Sequence, residues 1–123
     1  MLSVKRCLDW GRLLRRAIAS YPEKLRVAIL ASGGLSHSIG EPTMGAIEIE
    51  FDRESIALFD KGSEQPMIDY FEAKLPTVGN GGHEVRSWFI AHAAAGSRGF
   101  ELLEYLPVPE VYVGCGFASW SVQ

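Results

Sequence analysis

Apolar positions recur at helical spacing from the start of the chain. Cys7, Trp10, Leu14, Ala17, Ile18 and Tyr21 share one face of a helix running from Ser3 to about Ser20, widened by Leu8 and Leu13. Lys5, Asp9, Arg12 and Arg16 fall on the opposite, solvated face. Ser3 stands where an N-cap is expected, and Pro22 stops propagation. The pattern then changes. Leu25–Ala31 contains an unbroken apolar run, Val27 to Ala31, that stops at Gly33 and Gly34. Such a run predicts a strand covered on both faces.

A loop rich in Gly, Ser and Pro follows, Ser32 to Pro42, with His37 near its middle. Met44 to Phe51 alternates Ile47, Ile49 and Phe51 with Glu48 and Glu50, which predicts a brief extended segment. Asp52 reads as the cap of a helix from Arg53 to about Lys61, anchored by Ile56, Leu58 and Phe59 and stopped by Gly62. Ser63 caps a further predicted helix, Glu64 to Leu75, with Met67, Ile68, Phe71 and Leu75 on one side and Pro66 in its first turn. A second glycine-rich loop, Pro76 to Gly82, runs into a helix over His83–Ala95 with Val85, Trp88, Phe89 and His92 on one face. Gly96 ends it. Two extended segments, Phe100–Val108 and Glu110–Phe117, close the chain, and the Pro107-Val-Pro109 bend between them excludes a two-residue turn. Helices interleaved with covered strands predict an α/β fold, with a partial mixed sheet flanked by helices.

Composition narrows the function classes. The 123 residues make a single domain over 1–123, and 47% hydrophobic content is that of a globular chain. A formal net charge of −3 offers no electrostatic footprint for nucleic acid or an anionic membrane. No apolar run approaches the ~20 residues that span a bilayer. Asp9, Arg12, Arg15 and Arg16 interrupt what would be the apolar core of a leader, so a cytoplasmic location is expected. Cys7 and Cys115 form no CxxC pair and read as free thiols used for packing.

Candidate chemistry centres on His37. An imidazole exchanges protons near neutrality, with a reference pKa of about 6.5, and here it lies in a loop past an expected strand end. A hydrogen-bonded loop histidine is the alternative. Ser36 beside it makes no hydrolase: the GxSxG elbow is missing, and adjacent residues of an extended chain point apart. Glu84 opens a helix after a glycine loop, where a carboxylate either complements the helix dipole or ligates a metal. His83-Glu84 does not begin an HExxH zinc motif, because position 87 is Ser87. His83 reads as a loop residue and His92 as a packed histidine. Neither glycine loop carries the P-loop ending or GxGxxG.

Taken together, the two loops carry a more specific signal. Val27-Ala-Ile-Leu-Ala-Ser-Gly-Gly-Leu-Ser-His37 followed by Gly40-Glu-Pro42, and then Gly81-Gly-His-Glu-Val-Arg-Ser-Trp88, resemble class III extradiol ring-cleavage dioxygenases. More narrowly, they resemble the catalytic (beta) subunit of the protocatechuate 4,5-dioxygenase type. Phe51-Asp52-Arg53 and Glu110-Val-Tyr-Val-Gly-Cys-Gly116 fit the same pattern. The resemblance implies a non-haem Fe(II) held by two histidines and one glutamate, acting on a catecholic substrate and O₂. Glu84 would be the carboxylate ligand. His37 would sit beside the metal without binding it and move protons for the substrate. The family's two histidine ligands lie upstream of the Gly-Gly-Leu-Ser-His element, where this chain has only a helix. The resemblance is therefore to the C-terminal portion of such an enzyme. It implies that the chain alone is inactive, or works as a homo-oligomer or with a partner supplying the missing histidines. The competing expectation is a non-catalytic binding or regulatory domain of the same fold.

Overall fold

The computed structural model describes residues 1–122. Helix α1 spans Val4–Ala19, α2 Ile49–Lys61, α3 Glu64–Lys74 and α4 Arg86–Ala94. Strands β1, Phe100–Val108, and β2, Val113–Trp120, form an antiparallel hairpin from Phe100 opposite Trp120 to Val108 opposite Val113, with a register shift between Leu102 and Glu104. The α/β class holds. The hairpin connection is a 3₁₀ turn, Pro109–Val111, closed by Tyr112 at a φ of 63°. The two prolines shape that longer connection.

Helix α1 starts where expected, with the Ser3 hydroxyl accepting from the Arg6 amide at 3.3 Å. Glu72 of α3 accepts from the Val4 amide at 2.6 Å and satisfies a second free donor of the first turn. The buried face agrees with the predicted one at Cys7 and Leu8 and differs from it further along the helix. It consists of Val4, Cys7, Leu8 and Gly11, while Trp10, Leu14, Ile18 and Tyr21 remain exposed. Gly11 explains the choice. A Cβ there would overlap the Ile90 carbonyl and Ala93, so the helix turns its glycine to α4 and the two backbones approach closely. Arg15 then donates to the Ala94 carbonyl at 3.1 Å, covering the end of α4.

The core gathers around Phe59, which is fully buried and packs its ring against Phe71, Trp88, Phe89, Phe100 and Trp120. These side chains come from α2, α3, α4 and both strands, so one ring joins all but α1. Gly62 ends α2 in the left-handed conformation, as its position implied. Residues 42–45 form a turn and α2 begins at Ile49, so Phe51 lies inside the helix. The i, i+4, i+7, i+8 spacing of Phe51, Ser55, Leu58 and Phe59, all buried, outweighs the short alternation upstream. Asp52 is consequently no cap. Glu48 occupies that position, and Asp52 is buried in the first turn.

The largest departure is at Leu25–Ala31, which forms no strand. Leu25 is 58% exposed and Leu30 92% exposed. A strand exists only through hydrogen bonds to a neighbour. Among the described residues no backbone bond joins 26–31 to another segment. The apolar sequence of a covered strand is present; the covering elements are not among these residues. Also among them, no helix is long and apolar enough to cross a membrane.

His92 is packed, as its position on the apolar face of α4 indicated. It is 1% exposed and accepts the Trp120 indole N–H at Nδ1, 2.9 Å away. Burial lowers its pKa from 6.5 to about 4. The folded chain therefore keeps this ring neutral where the unfolded chain would protonate it. Its contribution is complete above pH 6.5 and is lost as pH falls towards about 4, a span worth about 3 kcal/mol. Urea midpoints measured between pH 7.5 and pH 4 should fall with this profile. The decline should be shallower in a His92→Gln variant, which keeps an acceptor but does not titrate.

Candidate active site

The loop over 32–42 and the loop leading into α4 are stitched together around His37. On one side the loop pairs with the start of β2. The Leu35 amide donates to the Gly114 carbonyl, the Gly114 amide donates to the Ser36 carbonyl, both at 3.0 Å, and His37 bridges Val113. On the other side the Gly81 amide donates to the His37 carbonyl at 3.0 Å. Asn80 clamps Ile39 twice, accepting from its amide at 3.1 Å and donating to its carbonyl at 2.8 Å. Nothing local in the sequence foretold the Asn80 clamp. Its partner is 41 residues away.

His37 is 7% exposed. Its Nδ1 lies 3.1 Å from the Leu35 carbonyl oxygen. A carbonyl only accepts, so this contact places the ring hydrogen on Nδ1 and leaves the lone pair on Nε2. Nε2 lies 3.7 Å from Glu84 Oε1. That distance is too long for a hydrogen bond. Gly81 packs directly on the imidazole, and a Cβ there would overlap the ring atoms.

Glu84 lies in a 3₁₀ turn, Gly81–Val85, one step before α4 rather than in the first turn of a continuous helix. Its side chain is 53% exposed. The turn is fixed from below: Ser87 Oγ donates to the Ser32 and Glu84 carbonyls, each at 2.9 Å, and the Trp88 indole donates to the Gly33 carbonyl at 3.3 Å. Gly33 has a φ of +127°, and a Cβ there would come within 2.6 Å of Glu84 Cβ and 2.7 Å of its Oε2. Glycine at that position leaves room for the carboxylate. His83, though adjacent in sequence, turns to Arg86, which donates to its Nδ1 at 2.6 Å. Burial first, and then the guanidinium, lower the His83 pKa.

The donors brought together are thus one imidazole and one carboxylate. Among the described residues no three His, Cys, Asp or Glu side chains converge on a common point. A non-haem iron of the two-histidine, one-carboxylate kind needs three such donors, so these residues do not complete that site by themselves.

The profile of the catalytic LigB subunit of aromatic ring-opening dioxygenase matches residues 1–116. The chain belongs to this family. It is also similar to a gallate dioxygenase of Pseudomonas putida, 38% identical over 89 residues. That stretch is 72% of this chain and 26% of the relative, so the chain spans about a quarter of the length of the curated relative it matches.

Within this LigB-family chain, the sequence assigns no role at the site to three residues. Asp52 reads as a cap and Ser36 as an unsuitable nucleophile, although both lie in motifs that carry the resemblance, and Tyr105 has no local signal. All three form one hydrogen-bonded group behind His37. Asp52 followed by a helical run does resemble a cap, and only the long-range contact to Ser36 distinguishes the two.

Proposed function

We propose that this chain carries the proton-handling side and one carboxylate ligand of a non-haem Fe(II) extradiol dioxygenase, which opens a catecholic ring next to its diol with O₂. The observation that supports this reading most directly is the placement of His37 Nε2 opposite Glu84 at 3.7 Å, on two glycine loops bonded to each other. In this reading Glu84 is the carboxylate ligand, and two imidazoles come from another polypeptide segment. When bound, the iron supplies Lewis acidity and a template for diol and O₂. The chain's own part is proton movement. His37 accepts a substrate hydroxyl proton at Nε2 while Nδ1–H stays on the Leu35 carbonyl. The protonated ring later returns the proton to the opening product.

An apolar groove of about 950 Å³ lies between residues 27–34, α4 and β2, lined in part by Val27, Ile29, Trp88 and Phe117. It supports the view that further polypeptide covers this face. A graft tests the reading: the matching 89 residues of this chain replace their counterparts in the P. putida gallate dioxygenase. Both proteins are loaded anaerobically with Fe(II) and gallate or other catechols, and O₂ is then admitted. The graft should consume O₂ and give ring-cleavage product, and the isolated chain should give none. Product from the isolated chain would overturn the incomplete-site reading. An iron-loaded graft that opens no catechol would favour a non-catalytic binding domain.

A further inference from the structure

Asp52 is a buried carboxylate that the proton transfer above does not use. It is 0% exposed, and desolvation raises its pKa despite the hydrogen bonds that oppose the shift. Its Oδ1 accepts the Ser36 amide at 2.8 Å. Its Oδ2 accepts the Ser36 hydroxyl at 2.9 Å and the Tyr105 hydroxyl at 2.6 Å. The Ser36 oxygen in turn accepts the Glu48 amide at 2.8 Å. Room for the carboxylate is left by Gly114 of β2, where a Cβ would overlap Oδ2. Elements α2, β1 and β2 thus converge on one residue of the His37 loop.

The consequence lies in a single peptide unit. The Ser36 amide and the Leu35 carbonyl belong to the same planar bond, and among the described residues every peptide is trans. In a trans peptide the N–H and C=O point in opposite directions. Asp52 draws the N–H to one side and thereby aims the carbonyl to the other, where His37 Nδ1 lies 3.1 Å away. A carboxylate on the N–H also polarises the peptide and makes its carbonyl a stronger acceptor.

We propose that Asp52 is a positioning residue that sets the tautomer of His37: acting through the Leu35–Ser36 peptide, it holds the ring proton on Nδ1 and keeps Nε2 free as the base. Its catalytic meaning rests on the proton-carrier role given to His37 above. The tautomer itself is a property of the chain alone, without metal or substrate.

The test is a long-range ¹H–¹⁵N correlation spectrum of the uniformly labelled chain at pH 8. The wild type should show His37 as the Nδ1–H form, the less common form of a free imidazole. Asp52→Asn removes the charge and should shift the tautomer ratio at least fivefold towards Nε2–H. Tyr105→Phe, which spares both bonds to Ser36, should leave it unchanged. A merely structural Asp52 predicts lower stability with the tautomer intact, so a folded Asp52→Asn chain that keeps the wild-type ratio overturns the proposal. Should that variant fail to fold, the wild type decides. An Nε2–H ring, or no scalar coupling across the Ser36 N–H to Asp52 hydrogen bond, overturns it, and both signals present support it. An inactive graft would reject the dioxygenase reading without moving these spectra.

Discussion

In the grafted enzyme, His37→Gln is expected to lower turnover by about 10²–10⁴-fold, the usual worth of a general acid–base group, with iron content unchanged. Glu84→Ala is expected to give the opposite pattern at the metal, with iron lost and activity absent for that reason. The contrast follows from the geometry. His37 is 7% exposed, its Nδ1 is committed to the Leu35 carbonyl, and only Nε2 is available. Glutamine fits beside Gly81 with little change of volume but cannot take a proton. Glu84 is half exposed on a rigid turn, and Gly33 leaves its carboxylate unobstructed. Iron measured by plasma emission and initial rates of O₂ uptake separate the two roles. A His37→Gln enzyme that loses its iron, or a Glu84→Ala enzyme that keeps it, would reverse the assignment.

The second large effect concerns stability. Phe59→Ala should cost about 3–5 kcal/mol, the range for deleting a buried aromatic ring. A domain of this size is typically stable by only about 5–15 kcal/mol, so the substitution should remove a large share of the total. The reason is the position of the ring. From α2 it contacts partners in α3, α4, β1 and β2, and no single neighbour can move into the space without losing another contact. Urea unfolding followed by far-UV circular dichroism measures the loss. Phe59→Leu, which keeps most of the volume, should recover about half of it. A midpoint for Phe59→Ala close to wild type would show that the core is not organised around this ring.

The features that were legible in the sequence are those decided within a few residues. Ser3 caps α1, Gly62 closes α2, and the spacing of Val85, Trp88, Phe89 and His92 gives the buried face of α4. Each depends on local backbone geometry or helical period. The features that escaped it are decided by distant neighbours. Leu25–Ala31 has the composition of a covered strand, but pairing is a property of two segments, and the second is not among the described residues. The face of α1 turned on Gly11, whose value lies in the Ile90 carbonyl that it permits to approach. At the site, His37 and Glu84 are candidates from their loop positions, the resemblance of the two loops to a known family gives them roles, and the structure brings them within 3.7 Å. Asp52 was misread because a carboxylate before a helical run serves as a cap far more often than as a long-range anchor. Its partners, Ser36 and Tyr105, lie 16 and 53 residues away.

The packing of Gly81 on the His37 ring has a dynamic consequence. With Gly81 against that face and Nδ1 on the Leu35 carbonyl, turning the ring over about its Cβ–Cγ bond would cost that hydrogen bond, so the two nitrogens are held in their places. The rotamer entropy of the ring is given up when the chain folds, and the Phe59 core offsets that loss long before any substrate arrives. Substrate binding then has no side chain to order at this point, and the proton route is preorganised rather than assembled at each turnover.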